Sequence, residues 1–295
     1  MSVDQFVQYL IPGLKDGSIY ALVGLGFTMI YAVTKIINFA QGEFVMLGGM
    51  LSFVLSSSFG IPLVPALILS VLIAAAIGAV MYVLAIRPAR RASIVSLIII
   101  TIGAATFIRG IAGQIWGKDY VPPPYFTGDE PISFLGANIN PQALWIIGTT
   151  LVVTVVLHFF LTYTMVGKAL KACAINPNAA SLVGINTRMM ALIAFMLAAI
   201  AGAIGGVVVA PLTFASYDMG VMLGLKGFVA ASIGGFRSPI AAVIGGILLG
   251  IIEAFSVAIN WGPFTSDYKD AIALIVLLLI LLIRSGKLAA EESAS

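Results

Sequence analysis

Charge is what this sequence has least of. Of 295 residues, 9% are Asp, Glu, Lys or Arg, while 61% are hydrophobic. A soluble domain carries about 25% charged residues, so a water-soluble globule is excluded and several membrane spans follow. Cysteine is nearly absent. Cys173 stands alone, which excludes an intramolecular disulfide and a multi-thiolate metal site. His158 is the sole histidine, so a histidine cluster is excluded as well. The sequence has no GxxxxGK[ST] phosphate loop, no GxSxG elbow to accompany His158 and no HExxH pair. No enzyme signature remains, and no cofactor-binding one. If ATP drives this protein, another chain binds it. A cleavable leader is not expected either: Asp4 precedes the first apolar run, without a basic n-region or small-residue cleavage site. The net charge of +3 is no nucleic-acid signal, because the basic residues sit in short loops between apolar runs.

What is present is apolar length. About nine membrane segments are expected, at 11–33, 36–58, 63–86, 94–116, 143–163, 189–211, 221–236, 240–259 and 271–283. The fold class is therefore all-α and polytopic, a single transmembrane domain over 1–288 with a disordered polar tail at 289–295. Asp16 and Glu43 interrupt the first two segments. The seventh and ninth are short against the roughly 20 residues of a full span, and a re-entrant segment is the alternative for the seventh. Lys/Arg bias orients the chain. With the N-terminus outside, the inner loops hold Lys35, Arg87, Arg90, Arg91, Lys168, Lys171, Arg188, Arg237, Arg284 and Lys287. The outer side then holds Lys15, Lys118, Lys226 and Lys269, and an odd count puts the C-terminus in the cytoplasm. Loss of the seventh crossing would strand Arg237 outside. The outer (periplasmic) loop 117–142 contains Pro122-Pro123-Pro124, which favours extended polyproline backbone.

The segment 167–188 is a polar island between two long apolar runs, on the basic side. Asn176-Pro177-Asn178 reads as turn chemistry, because Pro177 fixes φ and lacks a donor. Ala179-Ala180-Ser181-Leu182-Val183 then reads as a short helix closed by Gly184. Such a loop is competent to dock a soluble partner, with Ala180 expected on a small apolar docking face. Elsewhere, Asn38, Gln41 and Glu43 open the second segment as a candidate pathway lining or gate. A carboxylate at bilayer depth costs about 2.5–3.5 kcal/mol on insertion scales, so Glu43 is expected to face protein or water. The blander reading of Glu43 and of Glu253 is a buried ion pair with Arg109, the embedded cation of the fourth segment. His158 is expected in a hydrogen-bonded packing role. Asp16, with Gly13 and Gly17 after Pro12, marks an interfacial helix start. Gly220/Gly224 and Gly246/Gly250 have the GxxxG spacing of close helix packing, and Gly202, Gly205 and Gly206 crowd one span.

Four stretches resemble a known family. INFAQGE at 37–43 is similar to the INFAHGE signature of branched-chain amino-acid ABC permeases, with Gln41 in place of His. NPNAASLVGIN at 176–186 resembles their NPEAARLLGIN loop, KGFVAASIGGF at 226–236 their KAFVAVVLGGL segment, and GGILLGIIE at 245–253 their GGLLLGLIE. The match is nearest to the LivH-type subunit. The resemblance implies a transport subunit without enzymatic activity, in the bacterial cytoplasmic (inner) membrane. It implies an importer with a second homologous permease subunit, two ATP-binding subunits that hold ATP and Mg, and a periplasmic or extracellular substrate-binding protein. It implies that Asn176, Pro177, Asn178, Ala179, Ala180, Leu182 and Gly184 form an ATPase-coupling loop. Leucine, isoleucine and valine as substrates also come from the resemblance. Same-family permeases for other amino acids or urea, and an ion-coupled secondary transporter, are the alternatives. An intramembrane enzyme finds no nucleophile–base pair.

Overall fold

A computed structural model describes residues 3–89, 92–134, 137–259, 270–280 and 282. The positions Arg90, Arg91, Asp267, Lys269, Arg284, Lys287 and the tail 289–295 lie outside the described residues. The helices are α1 (Val3–Thr34), α2 (Gln41–Phe53), α3 (Leu63–Met81), α4 (Ile94–Trp116), α5 (Pro141–Tyr163), α6 (Met165–Ile175), α7 (Pro177–Leu182), α8 (Thr187–Thr213), α9 (Gly220–Ile233), α10 (Pro239–Ile259) and α11 (Asp270–Ile280). Helices α2 and α3 each continue into a π turn, Val54–Ser58 and Tyr82–Ile86. Side-chain caps set several starts: Ser93, Asn140, Asn176 and Asn186 each accept from backbone N–H groups two or three residues further on.

Among the described residues, six helices are long and apolar enough to cross a membrane: Gln5–Thr34, Leu63–Ile86, Ile94–Trp116, Pro141–Tyr163, Thr187–Thr213 and Pro239–Val257. The remaining three expected segments correspond to the shorter helices α2, α9 and α11. The first expected segment needs correction. Helix α1 begins at Val3 and runs unbroken through Pro12 and Asp16. Pro12, the tenth residue of α1, removes one backbone donor in the third turn without breaking the helix, and Asp16 lies 3.0 Å from Lys15 Nζ, which offsets its charge. The second also differs. Residues 35–40 are not helical, and Lys35 adopts φ 60°. Their backbone is satisfied locally: the Asn38 Oδ1 accepts from Ala40 N at 3.1 Å and the Thr101 hydroxyl accepts from Phe39 N at 3.3 Å.

The ends of the bundle are chemically distinct. At one end the segment after α4 pairs Val121 with Ala215, and an antiparallel hairpin joins Ile132–Phe134 to Ala137–Ile139, an element the polyproline reading did not anticipate. At the other end Lys35 Nζ donates to Ala174 O of α6 (3.3 Å), Tyr31 and Phe236 rings meet at 4.8 Å, and Arg87 shares a pocket with Asn186 and Arg188. Helix α9 thus runs from the hairpin end to the basic end. Its 14 residues span about 21 Å. The basic end gathers Lys35, Arg87, Lys168, Lys171, Arg188 and Arg237, with no acidic residue among those described there.

Burial is uneven. In the apolar stretch of α1, 83% of residues are buried inside the chain, and 67% in α8, against 17% in α4 and α5. Helices α1, α2, α8, α9 and α10 make the interior, while α3, α4 and α5 present aliphatic side chains outward. Small residues permit this. Helix α10 crosses α1 where Gly246 and Gly250 lie on Gly17 and Ala21, so close that a Cβ on either glycine would enter the α1 backbone. Helix α9 crosses α2 the same way at Gly220 and Gly42. Both GxxxG pairs therefore serve close helix packing, as their spacing implies. His158 does not pack inward: it lies exposed on α5, its ring 6.1 Å from that of Phe159.

Candidate functional site

Three candidate gate residues sit where the irregular 35–40 segment enters α2. Asn38, Gln41 and Glu43 are buried, at 0%, 0% and 3% exposure. Gln41 reaches across the interior: its Nε2 donates to Ala198 O of α8 at 2.9 Å, and the side chain lies directly over Gly26 of α1. Asn38 Nδ2, Gln41 Oε1 and Glu43 Oε2 have no hydrogen-bond partner among the described residues. Glu43 stands in the first turn of α2, where the helix dipole favours a carboxylate. Its Oε1 is 3.9 Å from Arg109 Nη1 of α4. That pairing matches the blander sequence reading for Glu43, but it is loose, beyond the 2.7–2.9 Å of a charge-assisted hydrogen bond. Glu43 and Arg109 line a cleft of about 240 Å³ with Phe27, Phe39, Ile102 and Leu225 among its walls. Asn38 and Gln41 do not line it. They are packed behind it, so the three residues do not form one surface.

A second ionic site was not foreseen. Lys226, expected on the outer side, is buried in the middle of α9 at 5% exposure. Its Nζ lies 3.2 Å from Glu253 Oε1 on α10 and 2.7 Å from Asp270 Oδ1 at the start of α11. It also donates to Tyr20 OH on α1 at 3.1 Å, and Tyr20 OH donates to Glu253 Oε2 at 2.6 Å. Glu253 therefore pairs with Lys226 rather than Arg109. The partners are 27 to 233 residues apart, so spacing alone does not reveal them. The readable signal was a lone Lys in a run of glycines and aliphatics, because an ammonium at that depth requires a carboxylate.

The docking loop is more structured than a turn and one helix. An additional helix, α6, folds back on α5: Thr164 caps it, accepting from Gly167 N at 2.9 Å. Gly167, Leu170 and Cys173 face inward, and Lys168, Lys171 and Ile175 outward. Burial pushes the Cys173 thiol up, so the sole cysteine is a packing residue. Asn176 is the N-cap of α7, its Oδ1 accepting from Asn178 N and Ala179 N at 3.0 Å, and Pro177 is the first helical residue, where a missing N–H costs nothing. The helix ends at Gly184, φ 87°, with Ile185 N donating to Ala180 O and Gly184 N to Ser181 O, the Schellman pattern. That closure turns Ala180 inward, at 4% exposure. The expected docking face at Ala180 is thereby corrected. The outward apolar surface is Ile175, Leu182 and Val183, at 87%, 87% and 77% exposure. Asn176, Pro177, Asn178, Ala179 and Gly184 are exposed beside it.

Known proteins resemble this chain. Over 94% of its length the chain is 33% identical to the high-affinity branched-chain amino acid transport system permease protein LivH of Escherichia coli (strain K12), covering 93% of that protein. It is 31% identical to the corresponding permease protein BraD of Pseudomonas aeruginosa over 95% of this chain and 94% of that one. In fold it is similar to PsaBC from Streptococcus pneumoniae, solved in complex with Fab: TM-score 0.50, 13% identity, 94% of this chain and 90% of that chain. Residues 9–281 match the family described as "Branched-chain amino acid transport system / permease component", and with the near full-length relatives this places the chain in that permease family.

Proposed function

We propose that this chain is the LivH-type half of the translocation pathway of an ATP-driven importer for leucine, isoleucine and valine. It pairs with a second homologous permease subunit in the bacterial cytoplasmic membrane. Two cytoplasmic subunits bind and hydrolyse ATP with Mg, and a periplasmic or extracellular binding protein delivers substrate. In this reading α2, α9 and α11 complete nine crossings. The N-terminus and the hairpin lie outside, and the basic end and C-terminus lie in the cytoplasm.

The observation that carries the reading is the basic end. It combines six Lys/Arg with a rigid α6–α7 unit displaying Ile175, Leu182 and Val183 to water. Positive charge marks the cytoplasmic face. Three large apolar side chains exposed on a capped helical corner need a partner, and the family context makes that partner an ATPase subunit. The course of α9, from hairpin end to basic end, supports a crossing rather than a re-entrant loop.

The test is leucine-dependent ATP hydrolysis and uptake by the complex reconstituted in proteoliposomes with its partner subunits and binding protein. Coupled uptake of leucine, isoleucine and valine is expected. Uptake driven by a proton or sodium gradient without ATP would replace this reading with a secondary transporter.

A further inference from the structure

We propose that the Glu43–Arg109 cleft is a transient seat for the zwitterion itself, taking the ammonium of an aliphatic amino acid at Glu43 and its carboxylate at Arg109. The inference rests on the importer reading and adds a site to it. Three features point here rather than to any other cavity. First, the two charges face each other without satisfying each other: their closest approach is 3.9 Å. Glu43 Oε2 has no hydrogen-bond partner among the described residues, although its side chain is only 4% exposed. A buried acceptor left unpaired is costly, and a ligand ammonium supplies the missing donor. The Arg109 guanidinium, at 29% exposure, lines the same cleft, and its planar fork of N–H donors is of the kind that receives a carboxylate in two parallel bonds.

Second, the walls match an aliphatic side chain. Phe27, Phe39, Ile102 and Leu225 line the cleft beside the pair. Third, the volume of about 240 Å³ lies below the roughly 300–1,000 Å³ of drug-sized sites and suits one small molecule. The Lys226 cluster cannot serve, because Lys226 is already held by Glu253, Asp270 and Tyr20. The seat is weak by construction. An incoming zwitterion must displace the attraction between Glu43 and Arg109, so binding and release stay close in free energy, as a pathway requires.

The experiment uses the complete reconstituted importer, with an Ile102→Cys variant probed by a charged, membrane-impermeant thiol reagent. The native Cys173 is buried and contributes little background. Labelling of Cys at 102 from the aqueous phase is expected, and millimolar leucine should slow it several-fold. Leucinol, which lacks the carboxylate, and 4-methylpentanoate, which lacks the ammonium, should protect far less. In parallel, Glu43→Gln and Arg109→Gln should each lower the maximal uptake rate by about tenfold or more, with the half-saturating concentration of loaded binding protein unchanged, and Arg109→Lys should keep a larger share. Wild-type leucine uptake together with no aqueous labelling at 102, or with equal protection by leucinol, would overturn the seat and leave the importer reading intact. A wild-type complex that imports no amino acid would overturn the importer reading and the seat with it.

Discussion

Two carboxylates buried in this membrane chain lead different lives. Glu253 is sealed: both its oxygens lie within 3.3 Å of Lys226 Nζ, and Tyr20 donates to it, joining α1, α9 and α10. Glu43 is equally hidden from solvent, yet the one cation paired with it among the described residues stands 3.9 Å off across a cleft. The difference is not one of depth or residue type. It follows from what surrounds each pair. Both carboxylates stand beside close glycine crossings, but Glu253 is enclosed by α1, α9 and α10, whereas at Glu43 the outward helix α4 leaves an opening. A charge held from all sides acts as a structural tie. A charge held from one side can exchange partners.

The sharpest way to break this comparison is Lys226→Met. Removing one member of a buried pair costs about 3–5 kcal/mol, and here it strands Glu253. The thermal midpoint and folded yield of the purified complex should fall steeply, and Glu253→Gln should cost less because Tyr20 can still donate to it. A Lys226→Met protein that folds normally but fails to transport would reverse the assignment and make the sealed cluster the functional one. Next in size is Gly246→Val. Its Cβ would enter the α1 backbone at Ala21, and overpacking of this kind costs about 1–3 kcal/mol, read as a loss of folded protein in detergent. The comparison is sharpened by Glu43→Gln, which should change stability by less than about 1 kcal/mol, because the pair it removes is loose and losing a buried charge offsets the lost attraction. A shift as large as that of Lys226→Met would show that Glu43 is a tie as well.

The docking loop repeats the contrast on a smaller scale. Ala180 is sealed and Leu182 is open. Ala180→Asp should unfold the α6–α7 corner locally, seen as faster hydrogen exchange there. Leu182→Asp should leave exchange unchanged while uncoupling ATP hydrolysis from uptake. The smallest effect expected is that of Asn176→Ala, about 1 kcal/mol from the lost helix cap, measured by the same exchange experiment. Equal exchange in the Ala180→Asp and wild-type loops would mean that Ala180 faces the partner after all.

Much of the fold was readable in advance because its cause is local. Apolar runs at 63–86 and 94–116 became α3 with its π turn and α4 at the expected positions. The Asn-Pro start and Gly184 stop of the docking helix were visible because caps act over three or four residues. Helix α6 was missed because its Lys168 and Lys171 read as loop charge, although Gly167, Leu170 and Cys173 recur at helical spacing. The non-helical stretch before Gln41 was missed because its hydropathy continues that of the helix after it. One of the bonds that stabilise it comes from Thr101, on another helix.

Composition and pattern alone determined that this is a helical membrane protein, where its long apolar helices lie, and which end of it carries the Lys/Arg excess. These are properties of single segments, set by the transfer of side chains into hydrocarbon. Only the tertiary structure decided which charges meet. Lys226 belongs to Glu253 and Tyr20, Glu43 belongs to Arg109, and Ala180 turns inward while Leu182 turns out. The physical reason is that a charge in an apolar interior must be satisfied by whatever the crossing of helices brings beside it. Those crossings are set by glycines far away in the chain.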